Sequence, residues 1–385
     1  MEDAFHDDWP ESAEAAADAR KAQAPIKGRG AASYVTGRFE KTVARGEDDG
    51  WGSVYADAFD EDGEPLSPAL ATTVTEERAR SVISRNDSPD VGFDQSVNPY
   101  RGCEHGCVYC FARPSHAYLD LSPGLDFETK LFAKTNAAER LRTELAKPGY
   151  VPSAIALGIN TDGYQPIERR YRLTRQIIEV LAEFRHPLTI VTKNALVERD
   201  LDLLAPLARQ NLVHVFLSVT SLDNHLAAKL EPRASAPHRR VEAIGALNAA
   251  GVPCGVLVAP IIPMLTDRWL EQILERAHAA GARAAGYTVL RLPWELKDLV
   301  REWLELHFPE RAEHVLSLVR QMRGGRENDA RFGSRMRGEG EFAELLRQRF
   351  ALVVKRFGLA RNRDIALDTS QFRVPRASSS QGELF

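Results

Sequence analysis

Three of the four cysteines in this 385-residue chain lie within eight positions of each other. Cys103, Cys107 and Cys110 have the spacing Cys-x-x-x-Cys-x-x-Cys, and Gly102 and Gly106 let the backbone of their loop approach a bulky inorganic group. Thiolates are ligands for zinc ions and for iron–sulfur clusters. The spacing therefore predicts a metal-binding loop.

The number of ligands separates the kinds of metal site that this loop could form. A structural zinc ion takes four ligands, usually from two separated pairs, and the chain has no second Cys-x-x-Cys or His-x-x-x-His pair. His105 and His116 are candidates for a fourth ligand, but His105 lies between two of the cysteines, where binding the same ion would strain the loop. A reduced thiol cluster without metal is a further alternative. A [4Fe–4S] cube held by three thiolates, with one iron open to a small chelator, is favoured.

The composition is that of a globular chain for which we expect a cytoplasmic location. It is 44% hydrophobic and 27% charged, with a net charge of −4. The most apolar stretch, Cys254–Leu265, contains two prolines and is shorter than the roughly 18 residues of a membrane span. Residues 1–30 have no apolar signal-peptide core and are rich in acidic residues. We therefore expect no targeting sequence and no membrane partner.

Charge is distributed unevenly along the chain. Residues 1–90 have 20 acidic and 10 basic side chains, whereas residues 320–376 have 14 basic and 7 acidic ones. The basic region includes a Gly/Arg-rich loop at 323–340, a composition suited to closing over a phosphate or a carboxylate. An arginine-coated, solvated helix face explains the same composition. Aromatic side chains are sparse there, so nucleic acid is the less favoured partner.

Short β-rich runs alternate with helical patterns along most of the chain. The predicted strands are 154–160, 188–192, 213–219, 254–259 and 286–290, with one more before Cys103. The predicted helices are 76–85, 128–145, 173–184, 195–209, 239–250, 268–280, 295–306, 312–322 and 340–357. This alternation indicates an α/β fold with a parallel sheet, and about six units predict a partial (β/α)6 barrel.

These patterns divide the chain into four parts. We expect a disordered acidic tail at 1–50 and a lead-in segment at 51–94. The partial barrel is expected at 95–290, and a mainly helical region with the Gly/Arg-rich loop at 291–385.

Polar residues end three consecutive predicted strands. Thr161 and Asp162 follow one strand, Lys193 follows the next, and Ser218 lies at the end of the third. Parallel βα barrels bind ligands at the carboxyl ends of their strands. Each residue also has an ordinary explanation: Thr161 or Asp162 as a helix cap, Lys193 as a surface lysine, and Ser218 as a core hydroxyl. Their joint occurrence favours a binding site.

The cysteine loop and its surroundings resemble the radical S-adenosylmethionine (radical SAM) superfamily. Within it, they resemble a bacterial group distantly similar to spore photoproduct lyase. The resemblance spans about residues 75–372 and depends on Ser96–His116 (SVNPYRGCEHGCVYCFARPSH), Asn160–Glu168 (NTDGYQPIE) and Glu231–Ala234 (EPRA).

The resemblance implies a radical SAM enzyme with two cofactors, a [4Fe–4S] cluster on the three cysteines and S-adenosylmethionine on the open iron. One electron cleaves the sulfonium to give a 5′-deoxyadenosyl radical, which abstracts hydrogen from a substrate that the resemblance does not identify. It also implies a one-electron reductant, such as flavodoxin or ferredoxin, as partner. The alternative function is an iron–sulfur protein that binds nucleic acid or repairs DNA lesions.

The resemblance also implies roles for individual residues. Thr161, Lys193 and Ser218 correspond to contacts for S-adenosylmethionine, and Tyr109 is expected to pack on its adenine side. Many superfamily members receive the amino group on a Gly-Gly-Glu stretch; this chain has Asn-Thr-Asp at 160–162, so Thr161 and Asp162 are assigned that contact.

Two further positions bear on the reaction. Spore photoproduct lyase has a hydrogen-donating cysteine where this chain has Ile159, which disfavours a repair reaction of the same kind. Cys254, at the start of a predicted strand, is expected to be a small buried residue. No catalytic side chain is assigned.

Overall fold

The predicted βα alternation forms a sheet covered by helices in the computed structural model, which describes residues 25–39 and 70–375. The strands are β1 (Thr73–Glu77), β2 (Ile83–Arg85), β3 (Gln95–Val97), β4 (Tyr100–Arg101), β5 (Lys130–Lys134), β6 (Ile155–Leu157), β7 (Leu188–Thr192), β8 (Val213–Ser218), β9 (Cys254–Ile261), β10 (Ala284–Val289) and β11 (Ala360–Arg361).

The helices fall mostly between strands and at the carboxyl-terminal end of the chain. They are α1 (Asp126–Thr129), α2 (Ala137–Leu145), α3 (Glu168–Tyr171), α4 (Leu173–Glu183), α5 (Leu201–Ala208), α6 (Asn224–Leu230), α7 (Pro237–Ala249), α8 (Leu270–Ala279), α9 (Leu296–His307), α10 (Pro309–Gln321), α11 (Ser334–Arg337) and α12 (Gly340–Phe357). Four 3₁₀ segments lie at Arg113–Leu119, Ala195–Asp200, Asp267–Trp269 and Asn362–Asp364. In the described part of the chain, no helix is both long and apolar enough to cross a membrane.

The main sheet confirms the predicted partial barrel. Its strand order is β11-β10-β9-β8-β7-β6-β3-β2, and the strands from β10 to β3 run parallel. β11 joins β10 in parallel and β2 joins β3 in antiparallel fashion. Both strands lie outside the stretch 95–290. They form the two edges of the sheet and do not pair with each other, so the barrel is open. All the carboxyl ends of the parallel strands therefore meet at one open rim.

A second, three-stranded sheet was not predicted. Its order is β1-β5-β4. The helix expected at 76–85 is absent: its first two residues end β1, and its last three form β2 of the main sheet. β5 replaces residues 130–134 of the helix expected at 128–145. The segment KLFAK of β5 has partners on both sides, and this pairing outweighs its weak helical pattern. β4 leads directly into the cysteine loop, so this small sheet fixes where that loop begins.

Residues 25–39 form an N-terminal strap that lies against the cysteine loop, so the predicted disordered tail is wrong for this stretch. The backbone N–H groups of Gly30 and Ala31 donate to the carboxylate of Glu128 at 3.0 and 2.9 Å. A Cβ atom on Gly30 would lie 1.8 Å from the carbonyl oxygen of Gly106, so only glycine fits this approach. The remainder of the predicted tail, at 1–24 and 40–50, lies outside the described residues.

Candidate functional site

The cysteine loop is anchored by its backbone to two neighbouring segments. The N–H of Cys103 donates to the carbonyl of Phe127 at 2.9 Å, and that of Val108 donates to Leu230 at 3.1 Å. Gly102 and Gly106 have φ angles of +73° and +66°, which are unfavourable for residues with side chains. The two predicted glycine positions therefore allow the tight course of the loop.

The three thiols of this loop are largely shielded from solvent. Cys103 and Cys107 are buried and Cys110 is partly exposed. Burial raises the pKa of all three thiols, and the nearby Asp162 and the other two cysteines raise that of Cys103 further. Thiols held in this way become thiolates when a cationic metal centre binds them.

The arrangement of possible ligands differs from that of a one-ion site. Within residues 25–39 and 70–375, no three His, Cys, Asp or Glu side chains converge on a single metal ion. Ligands of a structural zinc ion share one centre, whereas cysteines around an iron–sulfur cube bind different irons. Nε2 of His116 lies 3.0 Å from the carbonyl oxygen of Lys130, and its buried Nδ1 has no hydrogen-bond partner among the described residues. Three thiols on one loop are donors of the kind that an iron–sulfur cluster takes.

A buried ion pair supports the cysteine loop from behind. Arg113 and Glu128 are fully buried and pair directly. Arg113 also donates to the carbonyl oxygens of Cys107 and Gly106, at 2.8 and 3.1 Å, and to two carbonyls at 123–124. Because a buried charge is tolerated only when it is paired and hydrogen-bonded, the pair and the loop depend on each other.

Gln165 holds the loop on either side of its first cysteine. Its Oε1 accepts from the N–H of Glu104 at 2.9 Å, and its Nε2 donates to the carbonyl of Gly102 at 3.1 Å. The side chain is completely buried. Gln165 therefore satisfies the backbone polar groups that flank Cys103.

His105 connects the loop to the ends of two strands. Its Nδ1 lies 3.3 Å from Oδ2 of Asp162, and its Nε2 lies 3.2 Å from Nδ2 of Asn194. The Asn194 oxygen accepts from the N–H of Leu196 and the hydroxyl of Ser235, which fixes the amide orientation. Asn194 therefore donates to Nε2, and the ring proton is on Nδ1, facing Asp162.

Asp162 has further donors at the ends of the strands. Its oxygens accept from the hydroxyl of Thr192 at 2.7 Å, the N–H of Tyr164 at 2.8 Å and the N–H of Lys193 at 2.7 Å. Burial favours the neutral acid, but His105 and these donors outweigh it and lower the pKa of Asp162. The carboxylate thus links the carboxyl ends of β6 and β7 to the cysteine loop.

Thr161 makes a similar internal connection. Its hydroxyl donates to the carbonyl of Tyr100 at 3.0 Å, just before the cysteine loop. The contact between Thr161, Asp162 and a cofactor amino group stays a prediction. The bonds described here explain both residues as supports of the loop.

Lys193, Ser218 and Tyr109, which were predicted from separate parts of the sequence, come together. Nζ of Lys193 donates to Oγ of Ser218 at 3.0 Å and lies 5.9 Å from the ring centre of Tyr109. Ser218 in turn donates to the carbonyl of Ala259. Among the described residues, no carboxylate pairs with this ammonium group. It is available for an acceptor brought by a ligand.

Tyr109 is oriented by a buried polar network. Its hydroxyl donates to the carboxylate of Glu231, which also accepts from Thr220 at 2.6 Å and pairs with Arg240. Arg240 donates to the carbonyl of Ser218 at 3.0 Å. The network fixes both the tyrosine ring and the end of β8. The network also gives a structural role to Glu231, the first residue of the EPRA segment.

The residues that hold these groups in place were not predicted from the sequence. Gln165, Glu231 and Arg113 lie inside the three motif segments, which is the one signal that could have identified them. Asn194 and Arg240 have no such signal. Cys254 is buried as expected, with its sulfur 3.7 Å from the carbonyl of Ile244, away from the other three cysteines.

Two arginines of the Gly/Arg-rich loop bond to other groups of the protein. Arg323 is buried and donates to the carbonyls of Leu290, Ser334 and Arg335 at 2.8 to 2.9 Å. Arg335 pairs with Asp90. The composition that predicts an anion-binding loop therefore includes arginines with internal partners.

Comparison with known proteins identifies relatives of this chain. Residues 97–277 match the family model of the radical SAM superfamily. The uncharacterized protein Rv2578c of Mycobacterium tuberculosis is 40% identical over 270 residues, which cover 70% of this chain and 76% of the relative. The uncharacterized protein MJ0683 of Methanocaldococcus jannaschii is 29% identical over 190 residues, covering 49% of this chain and 68% of that protein.

Solved structures show the same fold. Spore photoproduct lyase complexed with dinucleoside spore photoproduct has a TM-score of 0.54 at 16% identity, covering 75% of this chain and 81% of that one. A double mutant of the lyase with bound AdoMet and the dinucleoside has a TM-score of 0.55 at 17% identity, with the same coverage. At these identities the similarity concerns the fold alone.

Proposed function

Because this chain belongs to the radical SAM superfamily, we propose that it binds a [4Fe–4S] cluster through Cys103, Cys107 and Cys110 and reductively cleaves S-adenosylmethionine to abstract hydrogen from a substrate. One observation supports this most strongly. Three thiols lie on a single loop beside the carboxyl ends of parallel strands, where such folds bind their ligands.

A cluster held by Cys103, Cys107 and Cys110 would supply the electron for reductive cleavage of the sulfonium of S-adenosylmethionine. Lys193 and Ser218 would then receive the carboxylate or ribose of S-adenosylmethionine, and the ring of Tyr109 would pack against its adenine side. We assign Asp162 and Thr161 as positioning residues, since their polar groups already bond to the protein.

The remaining role of the chain is to keep this geometry rigid and dry. The Arg113–Glu128 pair, Gln165 and His105 hold the backbone of the loop, which would limit its movement when the thiols bind metal. The N-terminal strap covers the loop backbone at Gly106. A one-electron donor such as flavodoxin or ferredoxin would supply the electron.

Anaerobic iron and sulfide analysis, followed by incubation with dithionite and S-adenosylmethionine, tests the proposal. We expect about four irons per chain and release of 5′-deoxyadenosine. Alanine at any of Cys103, Cys107 or Cys110 should abolish both, whereas the control Cys254→Ala should retain the cluster. Equal iron loss in the control would contradict the three-ligand assignment. A full cluster without cleavage would favour a structural iron–sulfur protein.

A further inference from the structure

Arg291 lies at the open rim beside the cysteine loop. It follows the end of β10 by two residues, at the same end of the sheet as Lys193 and Ser218. Its guanidinium carbon lies 5.9 Å from the ring centre of Phe111, the residue directly after Cys110. A group bound by Arg291 would therefore be close to the proposed cluster.

This guanidinium has no counter-ion among the described residues. Its Nη1 contacts the sulfur of Met336 at 3.7 Å, and its Nε is buried without a partner. Burial and the neighbouring Arg335 lower the pKa of Arg291. The nearby Asp90 is already occupied, because it accepts from Arg335 at 2.5 Å and from the N–H of Gly333 at 2.6 Å.

Exposed aromatic rings accompany the two arginines at the rim. Phe111 is 44% exposed and Phe332 is 59% exposed, and the guanidinium of Arg335 lies 4.5 Å from the Phe332 ring. The rim thus combines an uncompensated cation with apolar faces. An anionic group attached to an apolar body would complement both features.

We propose that Arg291 binds an anionic group of the substrate, a phosphate or a carboxylate, while the body of the substrate packs on Phe111. A guanidinium binds either group through two parallel hydrogen bonds, and partial burial strengthens the interaction. This inference rests on the proposed function, since it gives the chemical class of that enzyme's substrate.

Chemical modification of arginines tests the proposal on the full chain with its cluster and without S-adenosylmethionine. Phenylglyoxal modifies accessible arginines, and peptide mass spectrometry gives the rate at each position. Inorganic phosphate or acetate should slow modification of Arg291 about tenfold or more and leave Arg326, an exposed residue of the Gly/Arg-rich loop, unaffected. Protection by phosphate alone identifies a phosphate group, and protection by acetate alone identifies a carboxylate. No protection of Arg291 by either probe would overturn the proposal.

Direct binding provides the second measurement. Arg291→Gln should weaken binding of the protective anion about ten- to hundredfold, as expected for a lost charge-assisted hydrogen bond, and the matched control Arg326→Gln should leave it unchanged. Equal affinity of wild type and Arg291→Gln would also overturn the proposal. Neither measurement requires cleavage of S-adenosylmethionine. A protein that binds the anion but releases no 5′-deoxyadenosine would therefore contradict the proposed function and leave the anion site in place.

Discussion

Replacement of Gln165 by leucine should destabilise the cysteine loop without changing any cysteine. Leucine has a similar size but satisfies neither the N–H of Glu104 nor the carbonyl of Gly102. Each buried backbone group left without a partner costs about 1–3 kcal/mol, so the two together predict a loss of about 2–6 kcal/mol in the free energy of unfolding. Gln165→Glu keeps an acceptor for Glu104 but places a buried carboxylate against the carbonyl oxygen of Gly102, so we expect a loss at least as large as that of Gln165→Leu.

Two measurements on the same variants check this reasoning. Urea unfolding of the metal-free chain gives the change in free energy, and iron analysis after anaerobic reconstitution gives the capacity of the loop for its cluster. The matched control is Gln210→Leu, because the Gln210 side chain is exposed and bonds only to the carbonyl of Pro206 among the described residues. This control should lose less than about 0.5 kcal/mol and no iron.

Unchanged stability and unchanged iron loading of Gln165→Leu would contradict this prediction. If Gln165→Leu unfolds at the same urea concentration as wild type and loads the same amount of iron, the two hydrogen bonds do not hold the loop. Lower stability with full iron loading would restrict Gln165 to a role in folding. Loss of both would support its role in positioning Cys103.

Three further predictions concern the site, the strap and the core. Lys193→Ala should weaken S-adenosylmethionine binding about ten- to hundredfold without loss of iron; unchanged affinity in anaerobic calorimetry would make Lys193 an ordinary surface lysine. Gly30→Ala should displace the strap or the loop and speed bleaching of the cluster in air, followed by absorbance; an unchanged rate would mean that the strap does not protect it. Burial lowers the pKa of His214 from 6.5 to about 4. Between these two pH values, His214 is therefore protonated in the unfolded chain but neutral in the folded chain. The resulting stability, about 3 kcal/mol, is present above pH 6.5 and is lost as the pH falls towards 4. Burial lowers the pKa of His116 and His186 to about 4 as well, so His214→Phe should remove about one third of the combined pH dependence, and the exposed His225→Phe should remove none of it.

The parallel strands were predictable because each is a local signal. β7 agrees in both limits with its predicted range and β8 ends one residue short of it, since buried parallel strands appear in sequence as short apolar runs. β1 and β5 were not predictable in the same way. Their segments pair with each other over a separation of more than fifty residues, and β5 also pairs with β4. No local sequence pattern indicates these distant partners.

The residues of the candidate site also fall into two groups, those that a local sequence pattern predicts and those that it does not. Cys103, Lys193 and Ser218 could be predicted as site residues because a motif or a strand end gives their position, and strand ends in a parallel sheet meet in space. Arg113 and Arg240 look like any other arginine in the sequence. Their importance depends on complete burial against a carboxylate and backbone carbonyls, and burial of a charge is a property of the folded chain.

The basic carboxyl-terminal region shows why counting charges cannot identify a binding residue. Its surplus of arginines is a correct observation, yet Arg323 points inward onto carbonyl oxygens and Arg335 is paired with Asp90. Arg291, which lies before that region at the end of a strand, has a partly buried guanidinium with no counter-ion among the described residues and a buried Nε without a partner. An anionic ligand binds best to a charged group that lacks a partner and is already partly removed from water. For such a group, the free energy gained by pairing with the ligand exceeds the hydration free energy that it loses on binding. Pairing within the fold, rather than composition, therefore decides which arginine of this chain can select the substrate.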